Sequence, residues 1–346
     1  MPDSSAIEER KLDHIRIVLA EDVVAKGITT GFEAYRIPHI ALPDLDLADI
    51  NTQTTFLSKP MRAPILISAM TGGAKETQRI NLALAEAAES LGLAMGVGSQ
   101  RAALVDHRLA YTYRVRRVAP HIPLLANLGA VQLNYEFGVE HCRRAVEMIE
   151  ADALVLHLNP LQEAIQPGGD CNFRGLLSRI EQVCREVPVP VIAKEVGNGI
   201  GGKQARQLAE IGVAMIDVAG SGGTSWSEVE RFRQNSNHDQ RIASTFAGWG
   251  IPTSEAIRQV RAALPTIPLI GSGGIRNGVE VAKALALGAD LTGLARAVLA
   301  PAVNEAGATA VIQELQTCID ELRIAMFCAN CATIPLLKAL RLERIE

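Results

Sequence analysis

Apolar residues in this chain fall in short consecutive runs, with amphipathic stretches between them. From residue 64 onward the runs are PILISAM (64–70), LAMGVGS (93–99), PLLANLG (123–129), ALVLHLN (153–159), PVIAKEV (190–196), MIDVAG (215–220), PLIGSGG (268–274) and LTGLA (291–295). Consecutive rather than alternating apolar positions mark strands buried on both faces. The intervening segments, such as TQRINLALAEAAESLG, GKQARQLAEIG and NGVEVAKALALG, carry helical spacing, and several end in Gly, a helix C-cap signal. Strand–helix alternation implies parallel strands joined by right-handed crossovers. Eight such units in roughly 250 residues match a closed (β/α)8 TIM barrel. The predicted architecture is α/β: an N-terminal extension over residues 1–60 that covers the barrel mouth, then the barrel over 61–346. Within the extension HIRIVLAEDVVA (14–25) reads as helix and FEAYRIPHIALPDLDLADI (32–50) as irregular. The barrel units share a rhythm but no evident sequence repeat.

In such barrels the C-terminal strand ends form the active-site face. Polar groups crowd at those ends: Ser68 to Thr71, Ser99 to Arg101, Asn127, His157 with Asn159, Lys194 with Glu195, and Thr224 to Trp226. The clearest case is ALVLHLNPLQEAIQPGGD, where an apolar run leads straight into His157, Asn159, Gln162, Glu163, Gln166 and Asp170. Two glycine-rich strand ends come late, GSGGIRNG (271–278) and GLARA (293–297), where this fold usually holds a phosphate against backbone N–H groups. GNGIGG (197–202) also fits G-x-G-x-x-G, with Asp217 at the distance of a ribose contact. A Rossmann domain would explain that segment but not eight units, so it is read as a βα loop. One phosphate site suits a mononucleotide with one phosphate, FMN. Its ring would lie over strand ends 1 to 5, against Ala69, Met70, Thr71, Ser99, Asn127 and Lys194. The Lys194 cation would favour negative charge on a reduced flavin; the alternative is a structural lysine paired with Glu195. Residues 221–250 read as a long polar loop and, with residues 1–20, as a mobile lid.

Composition narrows the partners. The 346 residues are 48% hydrophobic and 21% charged, with formal net charge −4, so no global field attracts nucleic acid or an anionic membrane. The N-terminal segment has no apolar h-region and no run is long enough to span a bilayer, which with six scattered cysteines predicts a cytoplasmic protein. An anionic ligand must meet a local basic cluster. ERKLDHIR (9–16) places Arg10, Lys11, His14 and Arg16 within two helical turns: a solvated face, or, if the extension folds over the mouth, partners of Arg101 around a second anion. Glu163, with Asn159 or Gln162, offers oxygen ligands to Mg²⁺; otherwise it is a surface glutamate beginning a loop. CANC (328–331) lacks a second cysteine pair, so Cys328 and Cys331 read as ordinary buried thiols. His107, His121 and His238 receive no role.

Taken together, RKLDH (10–14), ISAMTGG (67–73), GVGSQR (96–101), ANLGA (126–130), HLNPLQE (157–163), QPGGD (166–170), KEVGNGI (194–200), GTSW (223–226) and GSGGIRNG (271–278) resemble the FMN-dependent type 2 isopentenyl-diphosphate isomerases. Asp170 stands where glutamate is equally expected. The resemblance implies conversion of isopentenyl diphosphate to dimethylallyl diphosphate, with Mg²⁺ on the diphosphate and NADPH keeping FMN reduced. It implies flavin contacts from Ala69, Met70, Thr71, Ser99, Asn127, Lys194 and Thr224, with Gly273, Arg276, Ala295 and Arg296 near the flavin phosphate. Substrate contacts would be Arg10, Lys11, His14, Arg101, His157, Asn159 and Gln162, with Glu163 on the metal and Trp226 near the reacting carbons. Reduced FMN would act as the acid–base group, with Gln162 orienting substrate or relaying a proton. A homotetramer or homo-octamer is implied. The competing enzyme reading is an FMN-dependent oxidase or dehydrogenase of 2-hydroxy acids using His238 and Arg241, which leaves HLNPLQE unexplained.

Overall fold

The computed structural model describes residues 4–345. Eight parallel strands close into a ring in chain order: β1 (Ile65–Ile67), β2 (Ala94–Gly96), β3 (Leu124–Gly129), β4 (Ala153–Leu158), β5 (Val191–Glu195), β6 (Met215–Asp217), β7 (Leu269–Ser272) and β8 (Leu291–Leu294). Each strand lies inside one of the eight apolar runs and is shorter than it. The outward-facing side chains meet helices whose buried stripe repeats at helical spacing. In Lys75–Leu91 the stripe is Ile80, Ala83, Leu84, Ala87, Ala88 and Leu91, and the helix ends on Gly92 as C-cap.

Inward-facing positions change character along the barrel axis. The lower ones are apolar: Leu66, Leu125, Val155, Ile192, Met215, Ile270 and Leu291 form one cluster. Phe56 and Met61, from a hairpin of Thr54–Phe56 and Lys59–Met61, close it from below. Two residues further up the same strands, the inward positions are Ser68, Asn127, His157, Lys194, Asp217 and Ser272. Side chains alternate with period two, so these polar groups share the interior with the apolar plug and sit on top of it.

Two stitches hold the closed end of the barrel, and they are alike. Arg116 Nη1 donates to the carbonyls of Ala119 and Ile122, and its Nη2 to Asp152, which also accepts from the Leu124 amide. Arg261 Nη1 donates to the carbonyls of Leu264 and Ile267, and its Nη2 to Asp290, which accepts from the Leu269 amide. The segments RRVAPHIPL (116–124) and RAALPTIPL (261–269) share Arg, Pro, Ile, Pro and Leu at equal spacing. A repeat between the β3–β4 and β7–β8 units is therefore present where none was evident from periodicity. Five identities in nine residues gain meaning only when both arginines make the same bonds.

Three further expectations are corrected. The N-terminal helix runs Ser4–Ala20 rather than 14–25, because Val23 is buried and Val24 pairs with Thr224 in a β-bridge. Residues 32–50 hold short 3-10 turns at Phe32–Ala34 and Leu47–Asp49, and Tyr35–Arg36 pairs with Glu343–Arg344. Residues 221–250 are not one loop; they contain helices Trp226–Arg231 and Asn237–Thr245. The first of these buries Ser227, Glu228 and Glu230 besides Val229, so no apolar stripe announces it. Of the expected lids, residues 1–3 lie outside the described residues, and the rest of 1–20 is helical.

Candidate active site

A cavity of about 550 Å³ opens at the C-terminal strand ends, within the usual range for small-molecule sites. Every residue that the isomerase resemblance assigns to the site lines it: Arg10, Lys11, His14, Ala69, Met70, Thr71, Ser99, Arg101, Asn127, His157, Asn159, Gln162, Glu163, Lys194, Thr224, Trp226, Gly273, Arg276, Ala295 and Arg296.

The floor is the polar end of the barrel interior. His157, Lys194 and Asp217 are successive register partners across β4, β5 and β6, so their side chains stand side by side. His157 Nδ1 lies 2.7 Å from Asn127 Oδ1. With that oxygen as acceptor, Nδ1 carries the proton and Nε2 is left as an acceptor. Burial, Lys194 and Lys11 push the His157 pKa down to about 3, so the ring is neutral at working pH. Lys194 does not pair with the Glu195 carboxylate: its Nζ donates to the Glu195 backbone carbonyl at 2.7 Å. The Glu195 carboxylate instead accepts from the amides of Val196 and Gly197 and also from Asn198, holding the βα loop. Burial raises the Glu195 pKa to about 7 against those amides. Burial likewise raises that of Asp217, against the pull of Lys194 and of Ser272, whose hydroxyl donates to it. Asp217 is thus a strand residue inside the barrel, which removes the ribose contact a Rossmann reading needs.

On the wall beside this floor, Ser68 Oγ and Thr71 Oγ1 are buried without a hydrogen-bond partner. Such atoms are uncommon and call for a polar ligand. Gly273 has φ +105°, and a Cβ there would stand 2.2 Å from the Gly220 carbonyl oxygen, so the loop after β7 can only be glycine and lies backbone to backbone against the loop after β6. The helices Gly278–Ala286 and Arg296–Val303 begin just past the two glycine loops. Orphaned hydroxyls below and helix starts beyond close-packed glycine backbone suit a planar heterocycle carrying a phosphate. Arg276 only reaches the rim; its side chain is 69% exposed and pairs with Glu280 at 3.4 Å.

The N-terminal helix forms the opposite wall. Arg10, Lys11 and Arg101 converge on the cavity. Burial and the neighbouring Arg101 lower the Arg10 pKa; burial, Arg10 and Arg101 bring that of Lys11 to about 8. Cations that disfavour each other's charge in a shared cavity make an anion site. His14 is engaged differently: its Nε2 lies 2.9 Å from Glu230 Oε1, and its ring meets Trp226 edge-on at 5.1 Å. Burial lowers the His14 pKa although Glu230 opposes this, so it offers a hydrogen bond rather than a charge. Glu230, fully buried, also pairs with Arg233 at 2.7 Å.

Glu163 is buried, not a surface residue, on the short helix Pro160–Ile165. Its Oε1 accepts from Asn159 Nδ2 at 2.9 Å; its Oε2 accepts from the Asp170 amide at 2.8 Å and from Gln166. These are neutral donors, and Asn159 Oδ1 is buried with no partner. A buried carboxylate without a paired cation, next to an orphaned amide oxygen, fits a Mg²⁺ that takes few protein ligands and completes its shell with phosphate and water. Among the described residues no group of three His, Cys, Asp or Glu side chains gathers to hold a metal, at Glu163 or at CANC, so a metal here would take Glu163 and the Asn159 amide oxygen rather than a protein cage. His238 is exposed and outside the cavity lining.

Sequence reasoning missed Gln132, Glu230 and Arg233. Gln132 was findable as a polar residue just past a strand end. Glu230 was not, because its helix carries no apolar signature.

Residues 168–344 match the family described as FMN-dependent dehydrogenase, which defines the class as barrel enzymes of that family. Solved structures share the fold: a mandelate oxidase mutant with an FMN adduct (TM-score 0.65, 21% identity, 92% of this chain and 90% of that one) and a lactate oxidase of Pediococcus acidilactici (TM-score 0.67, 17% identity, 100% and 95%). Sequence likeness is far stronger elsewhere. The isopentenyl-diphosphate delta-isomerase of Nostoc sp. is 52% identical over 97% of this chain and 95% of its own length. That of Synechocystis sp. is 54% identical over 94% and 93%. The chain belongs to the isopentenyl-diphosphate delta-isomerase family. No helix among the described residues is long and apolar enough to cross a membrane.

Proposed function

We propose that this chain interconverts isopentenyl diphosphate and dimethylallyl diphosphate, using FMN kept reduced by NADPH and Mg²⁺ on the diphosphate. The observation that carries this reading is the convergence of Arg10, Lys11 and Arg101 beside Glu163, a buried carboxylate with only neutral donors, above a polar barrel floor.

The flavin would rest on Ala69, Met70, Thr71, Ser99, Asn127, Lys194 and Thr224, with its phosphate toward Gly273, Ala295 and Arg296 and the rim arginine Arg276. Bound and reduced, it supplies an electron-rich face and an exchangeable proton next to the alkene. Lys194, on the barrel floor, would present its ammonium group to the flavin. Arg10, Lys11 and Arg101 would neutralise the diphosphate, with His14, His157 and Asn159 lining the cavity beside it. Glu163 and the free Asn159 Oδ1 are the residues that would hold Mg²⁺, which would supply positive charge to the diphosphate. Moving the double bond adds a proton at one carbon and removes one from another, through a cationic species that water would trap. Trp226, Met70, Ile15 and Val18 give the cavity an apolar side that keeps water out. Gln162, next to Asn159 and Glu230, orients the alkenyl end or passes a proton to it.

The test is direct. The purified protein should be yellow and should form dimethylallyl diphosphate from isopentenyl diphosphate under anaerobic conditions with NADPH and Mg²⁺. Many turnovers should follow one chemical reduction of the flavin without any nicotinamide. Consumption of one reductant per turnover sinks the mechanism. Bleaching of the flavin by 2-hydroxy acids, with no isomerisation, sinks the function.

A further inference from the structure

The segment QPGGD curls around Glu163. Gln166 and the Asp170 amide both donate to the Glu163 carboxylate, and Cys171 Sγ donates to its carbonyl at 3.2 Å. The turn is tight: a Cβ on Gly169 would lie 1.9 Å from that carbonyl oxygen. The same Asp170 faces the other way with its side chain. Its Oδ2 accepts from Arg101 Nη1 at 2.8 Å and from Gln132 Nε2 at 3.0 Å. Arg101 opens the helix after β2, Gln132 sits in the 3-10 turn after β3, and Glu163 follows β4. One residue therefore ties three consecutive βα loops together at the cavity wall. Its main chain touches the carboxylate read above as the metal ligand, and its side chain touches a cation read as a diphosphate ligand.

We infer that Asp170 is a positioning residue that couples the anion site to the metal site. Its carboxylate aims the Arg101 guanidinium into the cavity while its amide fixes the orientation of Glu163. A charge-assisted bond constrains a flexible arginine far more than a neutral one does. Without it, Arg101 keeps its charge but loses its direction, and the turn that presents its backbone N–H to Glu163 loses its anchor. Binding of a diphosphate and of Mg²⁺ then cease to reinforce one another. This inference rests on the functional reading above.

The experiment uses the flavin-loaded protein and inorganic pyrophosphate as probe, titrated by calorimetry with and without Mg²⁺. Asp170→Asn should weaken pyrophosphate binding about tenfold and remove most of the gain that Mg²⁺ gives the wild type. Asp170→Glu should recover all but about threefold of the loss. In an Arg101→Ala background, Asp170→Asn should cost less than about twofold, since the residue it positions is gone. KM for the isomerised substrate should rise with kcat little changed. Gln132→Leu, which removes the other donor to the same oxygen and leaves residues 163–171 intact, should give a smaller loss of the same kind; it decides the matter if Asp170→Asn does not retain flavin. Equal losses from Asp170→Asn with and without Arg101, or an unchanged Mg²⁺ gain in either variant, overturn the inference alone. A wild-type protein that binds no pyrophosphate overturns the functional reading and this inference with it.

Discussion

His14 and Glu230 are separated by 216 residues of chain, and their side chains meet at 2.9 Å inside the cavity wall. A neutral imidazole there donates to an ionised carboxylate: burial alone would raise the Glu230 pKa, but His14 and Arg233 bring it below the ordinary value. Glu230→Ala removes an acceptor that His14 and Arg233 both use. Breaking a buried pair costs about 3–5 kcal/mol. That cost belongs mainly to the Glu230–Arg233 pair, while loss of the His14 bond should appear as release of the N-terminal helix. Limited proteolysis should cut within residues 4–20 faster, and KM for the diphosphate should rise about tenfold, with flavin absorbance retained.

Lys11 makes diphosphate affinity depend on pH. With its pKa near 8 in the ligand-free protein, it loses its charge as pH rises through that value. Pyrophosphate affinity should therefore fall between pH 7 and 9.5 in the wild type, and Lys11→Met should flatten this part of the profile. Stability moves the opposite way. Between about 8 and the ordinary lysine value of 10.5 the unfolded chain binds more protons than the folded one, so ligand-free protein gains stability as pH rises through that window. Below it, the cost of burying the charge is fully present. The melting temperature of wild type minus that of Lys11→Met, followed from pH 7.5 to 10.5, checks the sign. Lys11→Ala should weaken pyrophosphate binding more than flavin binding.

Gly273→Ala should cost on the order of 3 kcal/mol or more, from strain at positive φ and collision with the Gly220 backbone. The flavin-to-protein absorbance ratio should drop with it. Gly138→Ala is the control, because a Cβ there meets nothing within 4 Å.

Glu163→Gln keeps the size of the side chain and removes its charge. The Mg²⁺ concentration for half-maximal activity should rise at least about tenfold, while flavin content stays the same. An unchanged metal requirement removes Glu163 from that role.

The barrel was legible because strands buried on both faces must be apolar at consecutive positions, and the opening residues of β3 (124–126), β4 (153–156) and β5 (191–193) are. The cavity lining was legible for a related reason: a strand end that turns polar in a closed barrel has one place to go. His157 and Lys194 are read correctly onto that face from their position alone. What stayed hidden depended on partners far away in the chain. Nothing local in WSEVERFR tells that Glu230 is buried against His14, or that the helix holding it packs by polar contacts. Glu163 looks like a loop-surface residue until QPGGD is seen wrapped around it. Lys194 beside Glu195 invites an ion pair, but neighbours on a strand point to opposite faces, and the pair does not form.

Arg116 and Arg261 stand half a revolution apart around the barrel, each sewing a loop to the aspartate that opens the next strand. A chain that ties the same knot twice, four strands apart, anchors both halves of the ring by one device, so a change at either arginine should loosen its own half first.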